Sequence, residues 1–316
     1  MSAPPRHVWA ALAVVYFVWG STYLGIKIAI ETIPPLLAAG SRFLVAALLL
    51  AAILLLRGTS LRISRRELGA SAIVGTLLLG FGVGLVHVAE TRIDSSVAAM
   101  IVGTVPLQIV LLRLASAQSP ARATRVSTLA GLVGLVLVVA PGLGSGSTAL
   151  GLAVMVSSTM SWSLGSFVSQ RLPLPRDPFV AAVWEMGLGG VLLSLAALAT
   201  GEWGELARGG VSWSSTAAWV YLVVMGSLVG FTAYAWLLKV APISLVVTHQ
   251  YVNPLVAIAL GMLFLGERPS PWALAGAVLV IGAVYAVVRA EFPRSESARA
   301  RPETAAPKEI PAGRTA

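Results

Sequence analysis

The stretch LVAALLLAAILLL at residues 44–56 has no polar side chain on any face. Coiled as a helix it has no side to turn toward water, so it belongs in lipid or in the middle of a large core. A membrane-barrel strand would alternate apolar and polar positions over about 10 residues, and this stretch does not. Similar runs can be cut into helices at 8–29, 37–56, 68–90, 94–115, 124–140, 149–170, 179–199, 216–238, 243–266 and 271–289. Each is close to the roughly 20 residues that cross a bilayer core. With 57% hydrophobic and 11% charged residues in 316, the chain has more apolar surface than a soluble domain could hide. The expectation is an all-α polytopic membrane protein with ten transmembrane helices.

The net charge of +9 does not point to nucleic acid, because its distribution follows topology. With the N-terminus placed in the cytoplasm, 17 Lys and Arg fall on the inner side of the ten-span scheme. Four, Lys27, Arg92, Arg208 and Arg268, fall outside, and Arg42 lies within a span. That asymmetry is the positive-inside pattern, and it predicts both termini in the cytoplasm. The first span is too long and too polar in its middle for a signal peptide. There is no cysteine, which excludes disulfides and thiolate metal sites. No catalytic group, metal site or cofactor is expected.

The chain repeats itself. At an offset of 143, Trp19 falls on Trp162, Pro35 on Pro178, Arg42 on Glu185 and Gly58 on Gly201. At an offset of 148, Gly82 falls on Gly230, Ser96 on Ser244 and Pro106 on Pro254. A first repeat over 1–140, a glycine-rich outer linker at 141–148, a second repeat over 149–289 and a disordered cytoplasmic tail at 290–316 follow. Five spans per repeat is an odd number, so the second copy is expected inverted, the recurrent design of secondary transporters.

Two hydrophobic runs are broken at matching places, by WGSTY at 19–23 and WSLGS at 162–166. Trp19 lies roughly 17 Å into the first span and Trp162 roughly 20 Å into the sixth, so both are near mid-depth. Pro106 and Pro254, roughly 18 Å into theirs, are expected to free backbone carbonyls at the same level. Such irregularity is tolerated only inside protein or beside a wet cavity. The expected cavity group is Trp19, Thr22, Tyr23, Arg42, Pro106, Trp162, Ser166, His249, Gln250, Tyr251, Asn253 and Pro254. The alternative for the glycines and serines is close helix packing, and GFGVG at 80–84 and GSLVG at 226–230 are read as packing faces. Ionisable groups within spans are functional candidates by default. Glu185, beside Trp184, and the pair His87 and Glu90 are the candidates for proton coupling, the alternatives being structural pairing and a solvated helix cap.

These residues resemble the EamA family of the drug/metabolite transporter superfamily, in its YedA-like branch. The matching stretches are WGSTY, AAGSRFL with Arg42, VAE ending at Glu90, TVPL, SWSLGS, Glu185, YVNPLVA and LGE ending at Glu267, and the resemblance covers 8–289. It departs at Ser119, where many first repeats carry Glu. It implies ten helices in two inverted repeats and metabolite export across the bacterial inner membrane. The function expected is secondary active export of small metabolites, such as amino acids, amphipathic metabolites or drugs, by alternating access at a midplane cavity. The alternatives are a facilitative exchanger, a channel-like permease or an intramembrane enzyme; the last needs a paired catalytic constellation that the spans lack. The partners expected are the lipid bilayer, a small-molecule substrate and coupled protons, with the chain a monomer or a homodimer and no nucleic acid bound.

Overall fold

The computed structural model describes residues 6–93, 98, 101–139, 148–253, 255–256 and 270–291. Pro254, residues 141–147 of the expected linker and the tail beyond 291 lie outside the described residues. All described regular structure is helical. In chain order the first half contains α1 (Arg6–Ala29), α2 (Pro35–Leu56), α3 (Arg65–Gly75), a π-helical segment (Thr76–Val83), α4 (Gly84–Ala89), α5 (Val105–Ala115) and α6 (Arg122–Val139). The second half contains α7 (Ala149–Ser169), α8 (Pro178–Ala199), α9 (Glu202–Gly209), α10 (Trp213–Tyr221), a second π segment (Leu222–Phe231), α11 (Thr232–Val240), α12 (Ile243–Val246) and α13 (Pro271–Glu291).

Six helical stretches among the described residues are long and apolar enough to cross a membrane: Arg6–Ala29, Pro35–Leu56, Arg65–Ala89, Ala149–Ser169, Pro178–Ala199 and Trp213–Val240. The expectation of ten is corrected to six among the described residues. The apolar window at 94–115 is interrupted by a turn at residues 103–104, and α5 begins only at Val105. Its 11 residues reach about 16 Å, half a hydrocarbon core. The window at 243–266 is also broken, because α12 ends at Val246 and a turn precedes the helical residues 249–253. In α13 the apolar stretch is the shorter Leu274–Ala290, and α6 opens with the polar turn RATR. Hydropathy averaged over a window does not register such breaks. Pro106 is corrected too: it stands in the first turn of α5, where a missing N–H costs no helical bond.

Local sequence explains where several helices start. Ser64 and Glu67 form a reciprocal capping box on α3, and Thr148, Asp177 and Ser212 accept backbone N–H bonds at the starts of α7, α8 and α10. α2 has no such residue, since Pro34 precedes it without a side-chain cap. Its exposed donors are satisfied from afar, by Glu202 Oε2 on Leu37 N at 2.8 Å and Oε1 on Leu36 N at 3.3 Å. A carboxylate there also meets the positive end of the helix dipole.

α2 and α8 pack along each other, and so do α6 and α13. Close approach of the first pair depends on glycine. A Cβ on Gly40 would lie 2.8 Å from Ser194 N and 3.2 Å from Gly190 O, and one on Gly190 would lie 3.0 Å from Leu44 N. As positions in α2 rise, their contacts in α8 fall, so the two run antiparallel. The main core joins this pair to α1, α3, α7, α11 and α12.

Gly40→Val should lower stability by about 1–3 kcal/mol or more through overpacking against backbone. Gly204→Ala, with open space around its Cβ, should be neutral or stabilising by up to about 1 kcal/mol. Thermal unfolding of the purified variants in detergent measures both; equal melting temperatures would show that the approach of α2 to α8 is not tight.

Candidate functional site

Trp19 on α1 rests against the second π segment, where a Cβ on Gly230 would lie 2.5 Å from its Nε1. Trp162 on α7 rests against the first, where a Cβ on Gly82 would lie 3.1 Å from its Cε3. The tryptophan of each half therefore lies on a glycine of the other. Trp19 Nε1–H donates to Gly226 O at 3.0 Å. Ser158 donates to Gly82 O at 2.7 Å and Ser161 to Leu77 O at 2.8 Å, so side chains of α7 supply donors to the carbonyls of a π segment. π turns of this kind are common at functional sites.

The two indoles meet edge to face with centroids 5.4 Å apart. Tyr234 packs on both, at 4.9 Å from Trp19 and 5.1 Å from Trp162, and His249 closes the group at 5.0 Å from Trp19. These separations are in the range where aromatic pairs attract beyond simple burial. Ser166 fixes the tyrosine, with its Oγ 2.6 Å from the Tyr234 hydroxyl.

On one side of this partition is a cavity of about 80 Å³, room for several water molecules. Trp19, Thr22, Tyr23, Arg42, Trp162, His249, Gln250 and Asn253 line it, with Ser158 and Thr159. The Arg42 Nε–H donates to Ser227 Oγ at 3.2 Å, and its guanidinium lies 4.6 Å from the Phe43 ring centre. Arg42 Nη1, Gln250 Oε1, Asn253 Oδ1 and His249 Nε2 are buried with no protein partner. Buried polar atoms are nearly always paired, so this set marks a place where water or a ligand completes the bonding.

A second cavity, of about 400 Å³, lies on the other side and is lined by Ser169, Gln170, Glu185 and Lys239 among others. Along α7, Ser158, Thr159 and Trp162 face the first cavity and Ser169 and Gln170 the second; from the second π segment into α11, Gly226 and Phe231 face the first and Ala235, Leu238 and Lys239 the second. Trp162, Ser166 and Tyr234 separate the two. The Lys239 ammonium is held by the carbonyls of Pro175 and Arg176.

The structure thus brings together eight of the twelve residues expected around the cavity. Ser166 stands behind the lining, holding Tyr234. Tyr251 turns away, donating to Thr128 O at 2.8 Å and packing on Leu135 and Val280. Pro106 is buried but is not in the lining, and Pro254 lies outside the described residues. Glu185 faces the second cavity, away from Arg42. His87 and Glu90 are fully buried, so they are not a solvated cap. Contributors outside the expected group include Tyr234, Phe231, Ser158, Thr159 and Gln108. Gln108 donates to Thr104 and Thr159 at 2.9 and 3.1 Å and accepts from Ser163 at 2.6 Å, tying α5 to α7. The pairing of Gly82 with Gly230 in the repeat is the sequence signal for the ring seats, although the motifs that contain them read as packing faces.

The sequence profile of the EamA-like transporter family matches twice, over residues 7–140 and 149–289. The chain is 36% identical over 284 residues to the Escherichia coli protein called uncharacterized inner membrane transporter YedA, covering 89% of each. It is 26% identical over 292 residues to the uncharacterized transporter YvbV of Bacillus subtilis, covering 90% of this chain and 92% of that one. A solved crystal structure shares the fold, with a TM-score of 0.71 at 19% identity over 90% of this chain and 96% of the other. The chain belongs to the EamA-like transporter family.

If the Trp19 ring is seated as described, Gly230→Ala should displace it and lower stability by about 1–3 kcal/mol. Adding the smaller ring of Trp19→Phe should recover part of that loss. Additive destabilisation in the double variant, read by thermal melting, would mean that the ring and the glycine are not in contact.

Proposed function

We propose that this EamA-like transporter is a secondary active exporter of small amphipathic metabolites, amino acids among them, at the bacterial inner membrane. Its substrate site is the first cavity. The observation that carries this reading is the pair of cavities divided by one aromatic partition, Trp19, Trp162, Tyr234 and His249. A permanently open channel would have no such partition. A transporter that alternates access has one closed barrier at a time, and here the rings of both halves meet to form it. The lining suits an amphipathic ligand: flat apolar walls beside Arg42, Gln250 and Asn253. In this reading both termini are cytoplasmic, on the side that carries the excess of Lys and Arg.

In proteoliposomes the purified chain should show saturable uptake and counter-exchange of a metabolite selected from a panel by thermal shift. Trp19→Ala and Trp162→Ala should each cut the rate on the order of tenfold, since removing an aromatic wall forfeits about 1.5–3 kcal/mol of burial. Wild-type rates in both folded variants would remove the first cavity from the pathway, and flux without saturation or exchange would favour a channel.

The absence of native cysteine makes the orientation easy to read. A single cysteine in place of Glu205 should react with a membrane-impermeant maleimide on intact cells, and one in place of Arg66 only after permeabilisation. The opposite pattern would reverse the orientation.

A further inference from the structure

Behind the first cavity, where α1, α2 and α4 converge, is a second group of buried charges. Glu90, at the end of α4, is fully buried, and neither carboxylate oxygen has a hydrogen-bond partner. Two cations are close enough to feel its charge, Arg42 from α2 and Lys27 from α1. Neither forms a hydrogen bond with the carboxylate. The Lys27 ammonium donates to the backbone carbonyl of Glu90 at 3.0 Å, and Arg42 donates to Ser227 while leaving Nη1 unpaired at the cavity. The other titratable group that interacts with Glu90 is Tyr23 from α1, while His87 of its own helix interacts with Arg42. The His87 Nδ1 is bonded to Val83 O at 2.9 Å, and its Nε2 is unpaired.

A buried ionised carboxylate with no donor on either oxygen is costly. An arginine that lines a cavity with a free N–H attracts an anion. Because α4 packs against α2 and the two buried charges act on each other without direct pairing, the state of one sets the demand of the other: an ionised Glu90 partly neutralises Arg42, and a protonated one leaves it free. We propose that Arg42 and Glu90 form a proton-linked anion site, in which the carboxylate of a small organic acid binds Arg42 in the first cavity while Glu90 takes up a proton from solvent. By reciprocity, protons tighten the anion and the anion tightens the proton. The inference rests on the first cavity being the substrate site, and it adds the charge of the ligand and the group that couples it to protons.

Benzoate is a suitable probe, with a flat ring for the aromatic walls and a carboxylate that stays ionised from mildly acidic to mildly alkaline pH. Binding to the full chain in lipid nanodiscs, read by quenching of tryptophan emission, should weaken as pH rises, by up to about tenfold per pH unit. Calorimetry in buffers of different ionisation heat should show proton uptake on binding to the unaltered protein. Glu90→Gln should bind benzoate with little pH dependence and near the acidic-pH affinity of the parent, whereas Arg42→Gln should lose binding. Three results overturn the proposal: binding without proton uptake, a pH slope retained in Glu90→Gln, or a slope abolished by His87→Gln instead. Failure of benzoate to bind at any pH also overturns it, and leaves the transporter reading standing if Trp19→Ala still impairs metabolite flux.

Discussion

The seating of Trp19 on Gly230, and of Trp162 on Gly82, is the contact on which the centre of the molecule depends. Each half places a large rigid ring where the other offers a helix surface with no side chain. The exchange is mutual, so neither half can complete the partition alone. The π segments belong to this arrangement, because their carbonyls take donors from the facing helix: Trp19 at Gly226, Ser158 at Gly82 and Ser161 at Leu77. The irregular backbone is thereby satisfied inside protein, as hydrocarbon surroundings demand.

Charge is distributed around that partition unevenly. Arg42 and Glu185 occupy equivalent positions in the repeat, yet one lines the first cavity and the other the second. The two halves thus match one family profile and differ in what they offer a ligand from either side. Arg42 is 4% exposed and held through Ser227 and the Phe43 ring, which fixes its position while leaving one N–H unspent.

The helical class and several residues that the structure gathers around the first cavity each left a local trace in the sequence: unbroken apolar runs, aligned tryptophans, and a polar THQYVN stretch where lipid-facing residues were due. The sequence misled on the number of long helices. The windows at 94–115 and 243–266 are apolar on average, and whether such a window forms one helix depends on turns at residues 103–104 and 247–248 that composition does not record. Tyr251 was grouped with its neighbours by polarity, but helical phase turns it toward Thr128. Gln108 went unnoticed because a single amide in an apolar run announces nothing until its three partners, two of them on α7, come into place.

The bond between Glu202 and the start of α2 has a bearing on how the chain is made. The donors are at residues 36 and 37 and the acceptor at 202. At ribosomal rates of about 5–20 residues per second, α2 waits on the order of ten seconds or more for its cap to be synthesised. During that interval its first amides must be served by interfacial water, which keeps the end of α2 at the membrane surface until the second half arrives. The glycine faces that join α2 to α8 are drawn together over a similar stretch of chain. In the finished fold the later segment thus fastens the earlier one, at the start of α2 and along its glycine face.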